Sequence, residues 1–264
     1  MAAKTNYLQN AELLREIHKS KVTYCSYLNR EDADYDVIIS SFDEVTPENM
    51  EKWAQEKQDA HRRTLRSAYI KKHKKRHGKD YDAIQGDSVD PADLVYRLMT
   101  WDHIPDLPEG VTKPKDKKRI LPFPPFKHFK LVDGEFVEVC RSHWQGGIQN
   151  GWFSEDHGKL TNNLGQAFML LVKRYGRRGN WRGYTYNDEM QAEGLVALCN
   201  GALKFDESRS SNPFAYYTVT VQNAFTKVLN AEKKQANTKD DLRESAGIMP
   251  SSNRQSDNAG YGRA

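Results

Sequence analysis

The residues of this chain best equipped for chemistry on a partner lie between Asn212 and Asn230. At helical spacing Tyr216, Val219, Thr220, Asn223, Thr226 and Lys227 fall on one face. That face offers a ring for stacking, amide and hydroxyl groups for base edges, and a cation for a phosphate. The mixture suits a helix that reads nucleic acid, although an amphipathic helix with a solvated polar face carries the same pattern. Phe214, Tyr217, Val221, Ala224, Phe225 and Val228 make the opposite, apolar face and predict burial. Asn212 caps this helix, with Pro213 at its first position.

Two more helices must hold that one in place. The first opens at Asn187, Asp188 and Glu189, residues that satisfy or complement free amides at a helix N-terminus. Met190, Gly194, Ala197, Leu198, Gly201 and Phe205 share one of its faces. Residues 194–203 are nearly all apolar, so it needs burial on more than one side, one of them open to a partner. A polar turn over residues 206–212 joins it to the reading helix. The second helix follows Leu160, Leu164, Ala167, Phe168, Leu171, Val172 and Tyr175, and Gly176 ends it. Lys173, Arg174, Arg177, Arg178 and Arg182 gather at its exit. Such a knot can hold a nucleic-acid backbone, or simply complement a helix C-terminus.

Other candidate chemistry is weaker. Cys140 and His143 form a lone C-x-x-H, with His128 and His157 nearby in sequence, but zinc sites show two tight ligand pairs. The same histidines have no acidic partner at a spacing that suits a nuclease. No nucleophile–base pair, paired carboxylates or phosphate loop is present at usable spacing, so no enzyme is expected. Residues 129–132 and 135–140 flank Asp133-Gly134 as a β-hairpin, leading into a Gly/Trp-rich stretch.

Ahead of the hairpin, residues 6–30 carry a narrow helical stripe of Leu13, Leu14, Ile17 and Val22, and residues 37–39 a short extended piece. Thr46 and Pro47 start a polar helix expected to reach about His77. It ends in Lys71, Lys72, Lys74, Lys75, Arg76 and Lys79, which suits the helix dipole or, alternatively, a phosphate-contacting arm. A short helix is expected at residues 90–100, and an extended, exposed Pro/Lys-rich stretch at residues 105–125.

The composition bounds these readings. In 264 residues the hydrophobic share is 38%, the charged share 29% and the mean hydropathy −0.84, so the core is modest. A net charge of +4 does not by itself mark a nucleic-acid binder. Three widely spaced cysteines give no disulfide framework, and no apolar run is long enough to span a bilayer. A soluble intracellular protein is expected.

The stretch ALKFDESRSSNPFAYYTVTVQNAFTKVL resembles, without gaps, the promoter-melting part of region 2 in bacterial sigma factors. EMQAEGLVALCNGAL and LGQAFMLLVKRYGRRG look like the rest of region 2. The GYT…EM lead-in, the Asn-Pro start and the N-terminal NYLQNAELLREI are similar to the late-transcription sigma factors of T-even-type tailed phages. About 100 of the 264 residues carry the resemblance, and the motifs are specific as a set.

The resemblance implies a factor without enzymatic activity, working in the cytoplasm of an infected bacterial host. It would bind RNA polymerase core and direct initiation at A·T-rich −10-only late promoters. Glu189, Ala192, Glu193 and Val196 match the positions that dock on the clamp coiled coil of the largest polymerase subunit. Ala192 stands where the family has glutamine, which weakens one polar contact. Asn223 and Thr226 match base readers of double-stranded promoter DNA, and Lys227 is placed for phosphate. Tyr216 matches the aromatic that stacks on the flipped, single-stranded base, with Tyr217 beside it; Lys173, Arg177 and Arg178 would hold the backbone. Val219 and Thr220 replace the two wedge tryptophans of primary sigma factors, a departure that fits very A·T-rich promoters or help from a phage co-activator. No helix-turn-helix pattern follows residue 235, so a −35 element should go unread, and residues 245–264 carry no sliding-clamp motif. The rival expectations are a polymerase-binding regulator and a single-stranded DNA-binding protein without promoter specificity.

The expected fold is therefore mainly α, a sigma region 2-like helical domain with a long, partly disordered insertion and a small β-hairpin. Residues 1–34 would form an N-terminal helical segment on the core domain, 35–127 an insertion and 128–158 the hairpin element. Residues 159–235 would be the polymerase- and promoter-binding helices, and 236–264 a disordered tail.

Overall fold

The computed structural model describes residues 9–74, 76–106, 120–252, 254 and 255. In chain order its elements are α1 (Asn10–Val22), β1 (Cys25–Tyr27), β2 (Val37–Ile39), α2 (Pro47–His73), α3 (Lys79–Asp82), β3 (Val95–Met99), β4 (Phe126–Val132), β5 (Glu135–Ser142), β6 (Trp144–Gln145), β7 (Trp152–Phe153), α4 (Asn162–Gly176), α5 (Asn187–Gly201) and α6 (Pro213–Ser245). The chain divides into a sheet unit, residues 10–161 with 203–211, and a helical unit that includes residues 162–202 and the chain from 212 onward.

The mainly α expectation is overturned, because the hairpin is the centre of a five-stranded mixed sheet. Asp133 and Gly134 adopt φ of 52° and 84°, the left-handed pair that a two-residue hairpin turn demands. β5 and β4 pair across this turn, β1 adds antiparallel beyond β5, and β3 then a parallel β2 extend the other side. β6 and β7 form a separate two-stranded ribbon.

The helix expected at residues 90–100 is instead strand β3. Its apolar run is short, and such a run does not separate a buried strand from a buried helix. Asp90 accepts a hydrogen bond from the Ala92 amide (2.9 Å) and Pro91 opens a single turn, after which Val95 and Tyr96 enter the sheet. Thr46 caps α2 as expected, its hydroxyl accepting from the Asn49 amide (3.3 Å), and the helix closes on Lys74 at φ 55°.

Alternation along β3 sends its side chains to two different layers. Tyr96 and Leu98 face α2, in a core with Ile39, Ala54, Leu94, Trp53 and Phe136. Arg97 faces the opposite layer, where its guanidinium is fully buried between the rings of Tyr35 (3.7 Å) and Phe126 (3.8 Å). Its Nε donates to Nε2 of His128 (3.0 Å), and its Nη2 lies 2.9 Å from Nδ1 of His18 on α1. α1 thus belongs to the sheet unit, not to the helical unit that residues 1–34 were expected to cover.

Loop 203–211 likewise belongs to the sheet unit. Phe205, expected on the apolar face of α5, lies beyond the end of that helix at Gly201 and is buried in the sheet unit, and so is the side chain of Glu207 from the stretch expected as a polar turn. Lys21, fully buried, donates to the Phe205 carbonyl (2.7 Å) and to Glu207 Oε2 (2.5 Å), and Arg97 Nη1 stands 4.0 Å from Glu207 Oε1. Burial pushes the Glu207 carboxyl up, but the charges of Lys21 and Arg97 together outweigh burial and hold it below its ordinary value.

Several imidazoles of this unit are held neutral. Burial, then the Lys127 charge, lowers His103 to about 4; burial, then His103, lowers His143 to about 3. The unfolded chain takes these protons below about pH 6.5, whereas the folded chain refuses them until far lower pH. The sheet unit should therefore keep full histidine-linked stability above that pH and lose it as pH falls toward 4 and 3. Urea midpoints at falling pH measure this, with a slope of up to about 1.4 kcal/mol per pH unit and imidazole. His103→Gln should flatten that slope.

The helical unit packs α4, α5 and α6 against one another. Leu164, Phe168, Val172 and Tyr175 of α4, Met190, Gly194 and Leu198 of α5, and Tyr217, Val221, Ala224 and Phe225 of α6 are its buried positions. A Cβ on Gly194 would sit 3.2 Å from Phe225 Cε2, so glycine lets α5 and α6 approach closely. α6 does not stop where disorder was expected from residue 236, but stays helical through Ser245. Good helix formers carry it, Ala231 to Ala236, and the chain beyond folds back onto it. Asp240 accepts from the Ser251 amide (2.8 Å) and hydroxyl (2.6 Å), while Arg254 pairs with Asp241 (2.7 Å). The remainder of that tail, 256–264, and residues 107–119 of the Pro/Lys-rich stretch lie outside the described residues. Among the described residues no helix is long and apolar enough to cross a membrane.

Candidate nucleic-acid interface

Helix α6 begins where its cap requires. Asn212 Oδ1 accepts from the Ala215 amide (3.1 Å), and Pro213 fills the first helical position, where no amide partner is needed. Beyond that start, the buried row of Tyr217, Val221, Ala224 and Phe225 fixes the rotation of the helix. Val219, Asn223, Thr226 and Lys227 consequently face outward and exposed, with Tyr216 and Thr220 at the half-buried margin.

The margin residues are held in place. Tyr216 donates its hydroxyl to the Gly201 carbonyl (3.3 Å) and meets Tyr217 edge-on, and Thr220 bonds back to the Tyr216 carbonyl (3.0 Å). Tyr217 is a correction to the expected binding residues. Its ring is 1% exposed, edge-on to Phe168 at 4.8 Å, and its hydroxyl donates to the Ala202 carbonyl (2.7 Å). It builds the core behind the row, and a base could reach it only by dismantling that core.

On α5, Glu189, Ala192, Glu193 and Val196 line up at i, i+3, i+4 and i+7, with Val196 54% exposed. Asn187 was expected to serve the helix N-terminus. Its amide instead donates to the carbonyls of Gly176 (3.1 Å) and Trp181 (2.9 Å), while Gln191 donates to its Oδ1 (2.6 Å). It therefore closes the α4–α5 connection and orients the start of the stripe.

The two rows touch through one pair that spacing could not reveal. Lys227 Nζ lies 2.6 Å from Glu193 Oε1. Lys227 is 73% exposed, so the pair is worth less than about 1 kcal/mol and leaves both groups available to a stronger partner. At the end of α4, Lys173, Arg177 and Arg178 are exposed, and the Arg178 guanidinium covers the Tyr175 ring at 4.4 Å.

The histidines and cysteines singled out for a metal sit elsewhere. His128 is spent on Arg97 and the Asp32 carbonyl, His143 lies against Ser142 and Phe123, and His157 against Tyr24. Cys140 is buried on β5. Among the described residues no group of three or more such side chains gathers as ligands.

Sequence reasoning missed the cluster of Lys21, Arg97 and Glu207. One signal was available: Arg97 is a lone cation inside the apolar run Val95–Met99, and a buried cation requires a partner. That the partner comes from residue 207 is set by tertiary structure alone. Comparison with protein-family models, curated proteins and solved structures returned no match.

Proposed function

We propose that this protein is a phage-type sigma factor that binds RNA polymerase core and directs initiation at A·T-rich −10 elements of late promoters. One observation carries the reading: α6 buries one row and leaves Tyr216, Val219, Thr220, Asn223, Thr226 and Lys227 on its accessible side. Those residues supply the groups that promoter reading and opening need. Asn223 can bond adenine in the major groove, Lys227 can grip a phosphate, and Tyr216 offers a ring to a flipped base. Flipping costs a few kcal/mol, least at weakly paired steps, which favours A·T-rich elements for a chain with Val219 and Thr220 at the wedge positions.

The α5 stripe supports the other half of the proposal. Glu189 and Glu193 flanked by Ala192 and Val196 give an acidic rim and an apolar centre, complementary to a partly basic helix of the polymerase clamp. The work is that of a specificity factor in the host cytoplasm, with all chemistry left to the polymerase.

A second reading is favoured by Val219 and Thr220 themselves. A chain with a docking stripe but no aromatic wedge could bind polymerase as a regulator without opening promoters. Gel filtration with purified core polymerase, followed by permanganate footprinting, separates the readings. The proposal expects co-elution that Glu193→Ala abolishes, and thymine reactivity at the −10 element. Co-elution without reactivity on any A·T-rich template would favour the regulator, and no co-elution would refute both.

A further inference from the structure

The charge of this chain is unevenly placed. Between His61 and Lys79 the sequence has nine Lys and Arg and no Asp or Glu. With a net charge of +4 overall, the rest of the chain carries −5, so this one segment accounts for the basic character of the whole.

The segment is a built finger in the sheet unit. The last turns of α2 run out to Lys74, whose φ of 55° ends the helix; Gly78, at φ 124°, reverses the chain into α3. The return leg lies against α2. Gln58 donates to the Gly86 carbonyl (3.3 Å), the Asp87 amide donates to His61 Nδ1 (3.3 Å), and a Cβ on Gly86 would fall 2.2 Å from the Gln58 carbonyl oxygen. Only glycine permits that approach. The rings stiffen the tip: Tyr69 stacks on His73 at 4.4 Å, and Arg66 covers Tyr81 at 5.0 Å.

On this frame Arg63, Lys71, Lys72, Lys74, Arg76 and Lys79 are exposed, and no acidic side chain among the described residues pairs with them. Asp59 and Asp87 pair with Arg62 and His61 at the base, and α3 adds Asp80 and Asp82, but cations still outnumber acids along the finger. Holding them together raises the energy of the free protein, and a polyanion relieves it by releasing its own counterions. The finger's half-buried rings are each engaged within it, Tyr69 by His73 and Tyr81 by Arg66, which disfavours them as the base-stacking platform on which single-strand binders rely. What remains is phosphate binding along a helix arm of about 17 Å from Arg62 to His73.

We propose that the finger is a sequence-independent grip on the backbone of duplex DNA. This inference stands apart from promoter reading by α6, and its test uses DNA without an A·T-rich element, so either can fail alone. The full chain and Lys71→Gln/Lys72→Gln/Lys74→Gln/Arg76→Gln are titrated into a fluorescein-labelled mixed-sequence duplex across a salt series. These positions are exposed, so the fold is kept, and circular dichroism confirms it. The variant should bind at least about ten-fold more weakly near 0.1 M salt, with a log K against log salt slope shallower by up to roughly 3.6, about 0.9 for each phosphate no longer neutralised. Unchanged affinity and slope would overturn the proposal. So would weakening confined to single-stranded oligonucleotide, or unchanged duplex binding with failed capture of core polymerase, which would make the finger a face for an acidic protein.

Discussion

Glu207→Ala should destabilise the sheet unit by about 3–5 kcal/mol, the cost of removing one partner from a buried ion pair. The Lys21 and Arg97 side chains are both 0% accessible, and the one Glu207 carboxylate stands against the two together. Truncation leaves two cations in an apolar layer beside Phe123 and Phe126. Glu207→Gln should cost less, because its carbonyl can still accept from Lys21 although the charge is gone. Replacing the three together, Lys21→Met with Arg97→Met and Glu207→Leu, should recover much of the deficit, since buried ions are costly and packing can substitute for them. Urea unfolding followed by tryptophan fluorescence in a Trp181→Phe background reads the sheet unit, which holds the other four tryptophans. A change below about 1 kcal/mol, the value of an exposed pair, would contradict the buried cluster.

Phe225→Ala should have a comparable effect on the helical unit, about 3–5 kcal/mol. Phe225 is fully buried, edge-on to Tyr175 at 5.2 Å and Trp181 at 5.4 Å, and it occupies the space that Gly194 leaves open. Both the exposed row on α6 and the stripe on α5 depend on that packing for their rotation. Trp181 reports the outcome directly: its emission should shift to the red and its unfolding midpoint should fall, while the sheet unit keeps its own midpoint. An unshifted Trp181 transition would mean that Phe225 does not hold the helices.

The helical unit was the legible part of this sequence. Its three helices each bury one long periodic row, from Leu164 to Tyr175, from Met190 to Leu198 and from Tyr217 to Phe225, and such rows announce themselves without tertiary information. The Asp133-Gly134 hairpin was legible for a similar local reason, a turn chemistry that few other conformations share. The sheet around it was not. β1 and β2 are three residues each, too short for any periodicity, and β3 reads equally as helix. Their pairing joins residues far apart in sequence, Tyr27 with Cys140 and Ile39 with Leu98.

The candidate site divides the same way. Helical spacing placed Val219, Asn223, Thr226 and Lys227 outward correctly. It could not place Tyr217 in both the apolar row and a binding surface; the structure puts it in the row. Nor could spacing reveal that Lys227 and Glu193 meet, or that Glu207, within the most motif-rich stretch of the chain, is held by Lys21. These pairings join separate segments, and local pattern carries no record of them.

The central claim is that α6 reads a promoter for a polymerase held by α5. Run-off transcription with purified core polymerase tests it most directly, on a template whose only promoter feature is a TATAAATA-like −10 element. The account predicts a discrete transcript that requires this protein, disappears with Glu193→Ala and is strongly reduced with Asn223→Ala. A transcript equally strong in both variants, or no discrete transcript with the intact protein, would contradict it.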